Sequence, residues 1–288
     1  MSVIAVGNFD GVHSGHRRVL RQAVALAAEK GTEALAVTFS PHPRSVLTGN
    51  PQLLLSDPEE KQQRILSCGI HQVITLTFDS TRAEQTPEAF LRELKDRFAC
   101  TDLVCGENFR FGNAACGYFG FSGEVQMSIT GHLVPAESGV SSSAIRTALA
   151  AGDVTHAAEM LGEPYGLSGT VVEGKHLGRT IGFPTLNFWP STQRVLPQNG
   201  VYVTQTQIEK KIYASMTNVG RRPTVEGDGA VNIETFLLYL PKMPIPPAQI
   251  RVCFLQKLRG EVQFSSLEKL QEQLMRDQSS AEAFFERK

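Results

Sequence analysis

Over its first 160 residues the chain alternates short apolar runs with stretches of helical period. Val3–Val6 has the pattern of a buried strand, and Ala34–Phe39, Gln72–Phe78 and Asp102–Cys105 read as three further strands. His16–Lys30 repeats apolar residues every three or four positions and stops at Gly31. Ser56-Asp57-Pro58-Glu59-Glu60 and Thr86-Pro87-Glu88 read as helix starts, each with a capping side chain, a proline for the first turn and acid that suits the helix dipole. A further strand is expected at Glu124–Ile129 and a helix over roughly Ser143–Leu161. Such alternation predicts a Rossmann-like α/β domain, a parallel sheet with helices on both faces. Ligands in these sheets sit at the carboxyl ends of the strands.

Past Gly166 the period changes to that of strands. Ser168–Val172, Gly200–Thr206, Ile212–Asn218, Val231–Leu240 and Gln249–Leu255 are separated by Gly, Pro and polar turns, the pattern of an all-β small barrel. Ser265–Arg276 reads as a terminal amphipathic helix and Ser280–Arg287 as a short second one. The Gly162–Gly166 stretch marks the domain boundary, giving domains over 1–162 and 163–288.

The 288 residues suffice for two cores, and an apolar fraction of 41% can fill both. A net charge of −1 supplies no global field for nucleic acid or an acidic membrane, so any anion site must be local. Five cysteines without a C-x-x-C pair point to reduced thiols and a cytoplasmic setting. No run approaches the ~18 apolar residues of a membrane span. Neither a signal peptide nor a membrane partner is therefore expected.

Candidate chemistry lies in two places. Gly7-Asn8-Phe9-Asp10-Gly11-Val12-His13-Ser14-Gly15-His16 joins the first strand to the first helix. Gly7 and Gly11 allow a tight turn, and the helix start offers free N–H groups and a positive dipole end to an anion. His13 and His16 stand where their ring nitrogens can donate to phosphate oxygens. An H-x-x-H pair alone is more often a surface pair or half a zinc site; the strand, glycines and helix around this one reverse that and favour phosphate. Asp10 reads as a loop-orienting residue. The second place is Gly174-Lys175-His176-Leu177-Gly178-Arg179-Thr180-Ile181-Gly182-Phe183-Pro184-Thr185-Leu186-Asn187. Backbone N–H groups of a glycine-rich loop can wrap phosphates, although for the loop alone a plain glycine-rich hairpin with a Pro-Thr turn is the better reading. Thr185 and Asn187, two apart on a strand, share a face and offer hard oxygen ligands suited to Mg2+. Trp189 reads as a packing residue.

The first motif resembles the G-x-F-D-G-x-H-x-G-H signature of the nucleotidylyltransferase superfamily. Phe39-Ser40-Pro41-His42-Pro43, Gly106-Glu107-Asn108-Phe109-Arg110-Phe111-Gly112 and Ser141-Ser142-Ser143-Ala144-Ile145-Arg146 are similar to motifs of prokaryotic FAD synthetases. That resemblance implies attack of an FMN phosphate on the α-phosphorus of ATP. His13 and His16 would hold the triphosphate, Ser142, Ser143 and Arg146 the departing pyrophosphate, and Asn108 the nucleotide or flavin. The second half resembles riboflavin kinase through G-x-V-x-x-G, G-R-x-x-G-F-P-T-x-N, Asn218-Val219-Gly220-Arg221-Arg222-Pro223-Thr224 and Asn232-Ile233-Glu234-Thr235. It implies that Glu234 is the general base for the ribityl 5′-hydroxyl and that Thr185 and Asn187 hold Mg2+. Gly174, Gly178, Arg179, Gly182, Pro184 and Asn218 would line the nucleotide and flavin site. Riboflavin, FMN, FAD and ATP are then the small molecules handled, by a monomer or weak homo-oligomer that needs no nucleic acid. The chain departs from the family after Gly112, where a helix is shortened, and at the proline-rich 241–247 connection. Competing readings are a kinase with weakened adenylyl transfer and, from another class, a flavin-binding regulator without turnover.

Overall fold

The computed structural model describes residues 1–112, 128–173, 177–190, 193–221, 231–239 and 247–287. The chain divides into two compact units, Met1–Ser142 and Ser143–Lys288.

The first unit is built on a five-stranded parallel sheet in the order β3-β2-β1-β4-β5. Its strands are β1 (Ser2–Val6), β2 (Glu33–Ser40), β3 (Gln72–Thr77), β4 (Cys100–Gly106) and β5 (Thr130–Val134). The two-residue period of β1 divides the core. Ile4 and Val6 face Leu35, Val37, Phe90, Leu91 and Leu94, whereas Val3 and Ala5 face Val19, Leu20, Ala23 and Ala27. The latter four lie on helix α1 (Ser14–Glu29), whose alanines let it approach the sheet closely. Short helices α2 (Pro43–Thr48) and α4 (Ser80–Glu84) accompany the longer α3 (Pro58–Leu66) and α5 (Pro87–Phe98). Asp57 and Thr86 occupy the N-cap positions of α3 and α5, with proline in the first turn of each.

Two expectations for this region need correction. The fifth strand runs over Thr130–Val134, while Ser128 and Ile129 belong to a turn; the remainder of the expected strand, and the 113–127 segment with its shortened helix, lie outside the described residues. The single helix over Ser143–Leu161 is two helices, α6 (Ser142–Ala151) and α7 (Val154–Leu161). The chain turns at Gly152, and the Asp153 side chain caps the second helix by accepting from the His156 amide at 3.0 Å.

The second unit carries a closed antiparallel barrel in the order β10-β7-β6-β11-β8-β9. Its strands are β6 (Tyr165–Val172), β7 (Thr185–Pro190), β8 (Gly200–Ile208), β9 (Lys211–Arg221), β10 (Val231–Leu237) and β11 (Gln249–Arg259). A one-turn helix, α8 (Leu177–Thr180), precedes β7, and α9 (Leu267–Glu286) ends the unit as one unbroken helix rather than two. Its polar middle keeps helical form because Asp277 is buried and bonded by Arg259 and Gln273, while the Ser279 and Ser280 hydroxyls donate to carbonyls four residues back. Phe284 and Phe285 then reach the apolar cluster of Phe183, Val203, Met216, Phe236 and Leu238. Trp189 is 58% exposed, so its expected packing role is not what the fold gives it.

Five buried hydroxyls close a ring within the barrel: Thr204 to Ser215, Ser215 to Thr206, Thr206 to Thr235, Thr235 to Thr217, and Thr217 back to Thr204, at 2.8–3.1 Å. Each member both needs and supplies a partner, so removing one strands its neighbours in a dry interior. Thr217→Val is expected to destabilise the barrel by about 1–3 kcal/mol, measured by urea unfolding. An unchanged midpoint would show the ring to be energetically idle.

Candidate functional sites

In the first unit, the Gly7–Ser14 loop leaves the carboxyl end of β1 and is fixed from several sides. The Asp10 carboxylate accepts from the Leu55 amide at 2.9 Å, the Ser56 hydroxyl from the Gly11 amide at 3.1 Å, and the Gly11 carbonyl from Arg64 at 3.0 Å. Ser142 donates to the Asp10 carbonyl at 3.0 Å and Thr38 to the Asn8 carbonyl at 3.0 Å. Phe9 and Val12 take left-handed φ values of 49° and 46°, which L-residues avoid, and both are buried. Strain of roughly 1–3 kcal/mol at each persists only where packing over-determines the backbone.

This loop delivers His13 to the N-cap of α1. Its Nδ1 accepts from the His16 amide at 3.3 Å, which leaves the proton of a neutral ring on Nε2, ready to donate outward. The His16 ring stacks on it at 3.6 Å and meets Phe9 edge-on at 5.4 Å. The Nδ1 of His16 is buried and has no hydrogen-bond partner among the described residues. Burial lowers the His13 pKa to about 4, with Glu137 opposing and Arg17 assisting. Burial, His13 and Lys61 together take His16 well below the ordinary histidine value. Both rings are therefore neutral donors at pH 7.

The His13 shift has a consequence for stability. As pH falls below 6.5, the unfolded chain takes up this proton before the folded one does. Stability present above 6.5 is thus drained down to about pH 4. His13→Gln is expected to give a shallower acid slope of thermal midpoints between pH 7 and 4; parallel slopes would contradict a buried neutral ring.

The other expected residues of this site are placed as follows. Gly7, Asn8, Phe9, Asp10, Gly11 and Gly15 form the loop and the first turn of α1. Asn108 is exposed in the turn after β4, at the carboxyl end of the sheet. Ser142 contacts the loop, whereas Ser143 and Arg146 follow it on α6, beyond the division between the units. His42 caps α2, accepting from the Arg44 amide at 3.1 Å. Sequence reasoning missed Glu137, whose carboxylate accepts from Ser14 at 2.8 Å and faces His13. It also missed Lys61, whose ammonium reaches Thr38 and Phe39 at the end of β2.

In the second unit, register builds the site. Glu234 pairs with Asn187 on one side and Asn218 on the other, so three strands place Asn187, Glu234 and Asn218 in one row on one face. Thr185 stands two residues from Asn187 on that face, and Asn232 donates to the Glu234 carboxylate at 2.7 Å. Gly178 lies in α8, and a Cβ there would collide with the Phe183 carbonyl, which is how the loop closes down on Thr185. The Phe183 amide donates to the Gly178 carbonyl at 2.7 Å. Arg179 follows in the same helix, and Gly182 and Pro184 form the turn into β7. Gly174, Lys175 and His176 lie outside the described residues.

The Asn187 side chain is 6% exposed, and its Oδ1 is buried with no hydrogen-bond partner among the described residues. A carbonyl oxygen held bare beside a threonine hydroxyl and a carboxylate suits a hard divalent cation. Glu261, unforeseen from sequence, extends the face: its carboxylate accepts from Asn199 at 2.9 Å and lies 2.6 Å from where a side chain on Gly220 would begin.

Fold and sites together define a two-module protein, with one candidate site at the strand ends of a parallel sheet and another on the face of a barrel. The model of the FAD synthetase family matches residues 1–143, and that of the riboflavin kinase family matches residues 161–285. A relative from Escherichia coli K12, described as a bifunctional riboflavin kinase/FMN adenylyltransferase, is 35% identical over 98% of this chain and 92% of its own. Relatives of the same description from Bacillus subtilis and Listeria monocytogenes are 31% and 30% identical, over 99% and 98% of this chain and 92% of each relative. The chain belongs to the bifunctional riboflavin kinase/FMN adenylyltransferase family. A solved structure from Streptococcus pneumoniae, described as a macrolide-efflux protein, is 26% identical with a TM-score of 0.89, covering 98% of this chain and 94% of that one. Among the described residues here, no helix is long and apolar enough to cross a membrane.

Proposed function

We propose that the second unit phosphorylates riboflavin to FMN with ATP, and that the first adenylylates FMN to FAD with a second ATP and releases pyrophosphate. One observation carries the reading. Among the described residues, each unit keeps a buried polar atom without a hydrogen bond, His16 Nδ1 and Asn187 Oδ1, where its substrate is expected. Such an atom costs about 1–3 kcal/mol, a cost found where ligands complete the bonding.

In the kinase step, Glu234 takes the proton of the ribityl 5′-hydroxyl as that oxygen attacks the γ-phosphorus. The bond from the γ-phosphorus to its bridging oxygen breaks, and ADP leaves. Asn232 holds the carboxylate in place. Thr185 and Asn187 would hold Mg2+, which neutralises phosphate charge when bound. In the adenylyl step, the FMN phosphate is already ionised and needs no base. Its oxygen attacks the α-phosphorus, and the bond to the β-phosphate oxygen breaks. Here the protein positions and stabilises charge: His13 and His16 donate to the triphosphate, Asp10 and Ser142 fix the loop, and Ser143 and Arg146 receive the leaving pyrophosphate. Four described cysteines are free thiols, which suits a cytoplasmic setting.

Labelled ATP tests the assignment. With riboflavin, γ-labelled ATP is expected to label both FMN and FAD, whereas α-labelled ATP labels FAD alone. Absence of γ-label from flavin would refute the kinase, and absence of α-label the adenylyltransferase.

A further inference from the structure

We propose that Lys61 supplies the positive charge that binds phosphate oxygens of the nucleotide in the first unit. The proposal rests on the adenylyl-transfer reading of that site and adds a residue to it.

Adenylyl transfer builds negative charge on the departing pyrophosphate, more than the single cation given to it, Arg146, can balance. The histidines of the loop are neutral and contribute dipoles rather than charge. Arg64 is occupied, its guanidinium bonding Glu60 at 2.7 Å and the Gly11 carbonyl at 3.0 Å. Lys61 is placed differently. It sits in the first turn of α3, where the helix dipole disfavours a cation, so the helix itself gives no reason for it. Its stem crosses to the carboxyl end of β2, and its ammonium meets the Thr38 hydroxyl at 3.2 Å and the Phe39 carbonyl at 3.5 Å. Both contacts are long for a charged donor, which bonds at about 2.7–2.9 Å when its geometry is satisfied.

The surroundings fit an anion site. Thr38, which accepts from Lys61, donates in turn to the Asn8 carbonyl and so ties the ammonium to the glycine loop. The His16 ring feels the Lys61 charge, which helps to hold that ring neutral. Burial pulls the Lys61 ammonium below the ordinary lysine value, and the buried Asp10 carboxylate opposes that pull. A partly buried cation of this kind acts on phosphate more strongly than an exposed lysine because less water screens it. A phosphate oxygen arriving over the loop would shorten the network and take the remaining N–H.

The test compares Lys61→Gln, which keeps hydrogen-bond donors and loses charge, with Lys61→Arg, which keeps charge. FAD formation from supplied FMN is expected to fall in kcat by roughly 100-fold in Lys61→Gln and to recover largely in Lys61→Arg. FMN formation from riboflavin should match the unmutated protein in both and reports an intact chain. Calorimetric titration with inorganic pyrophosphate needs no turnover, and one binding event should weaken by about tenfold or more in Lys61→Gln. Unmutated protein that makes no FAD would refute the adenylyl-transfer reading. Unchanged pyrophosphate affinity in Lys61→Gln would overturn the role of Lys61, whether or not the protein makes FAD.

Discussion

Replacing Glu234 with Gln is expected to lower FMN formation from riboflavin by roughly 10²–10⁴-fold while leaving FAD formation from supplied FMN unchanged. The substitution is nearly isosteric. An amide oxygen at this position can still accept from the Asn232 side chain, so the row Asn187–Glu234–Asn218 should keep its shape. What disappears is the group able to take a proton from an alcohol whose own pKa is far above 7. The loss should therefore fall on kcat, with the KM for riboflavin little altered. Steady-state kinetics on each substrate separates the two. A variant that phosphorylates riboflavin at the normal rate would make Glu234 a solvated face residue.

His16→Ala should do the reverse. The ring stacks on His13 and packs against Phe9, and it carries the buried nitrogen that nothing else in the described structure satisfies. Removing it deletes one donor to the triphosphate and loosens the ring that supplies the other. Loss of a preorganised donor of this type costs about 10²–10³ in rate. FAD formation from FMN is expected to drop by that amount, and FMN formation from riboflavin to persist. If either variant loses both activities, the assignment of one reaction to each unit is wrong.

Local signals carried much of this fold. Caps at Asp57 and Thr86, the apolar period of α1 and the strand patterns of β1 to β4 are decided within a few residues, and the structure has them where the sequence suggests. The failures are those of local reasoning. Thr130–Val134 contains Thr, Gly and His and earns its strand from pairing with β4, which no local pattern records. The end helix continues through a polar stretch because Arg259, far away in sequence, anchors Asp277. The same distinction holds at the sites. A glycine loop between strand and helix is visible in sequence, whereas the row joining Asn187, Glu234 and Asn218 exists only through the register of three strands. Lys61 and Glu261 read in sequence as ordinary solvated charges. A hydroxyl on β2 marks the first, and the bare face of Gly220 the second.

The most direct test is to incubate the purified protein with ATP and Mg2+, once with riboflavin and once with FMN, and to separate the flavins by chromatography. The account predicts FAD from both incubations, with FMN appearing first in the riboflavin reaction. FMN without FAD would contradict the role given to the first unit, and recovery of both flavins unchanged would contradict the account as a whole.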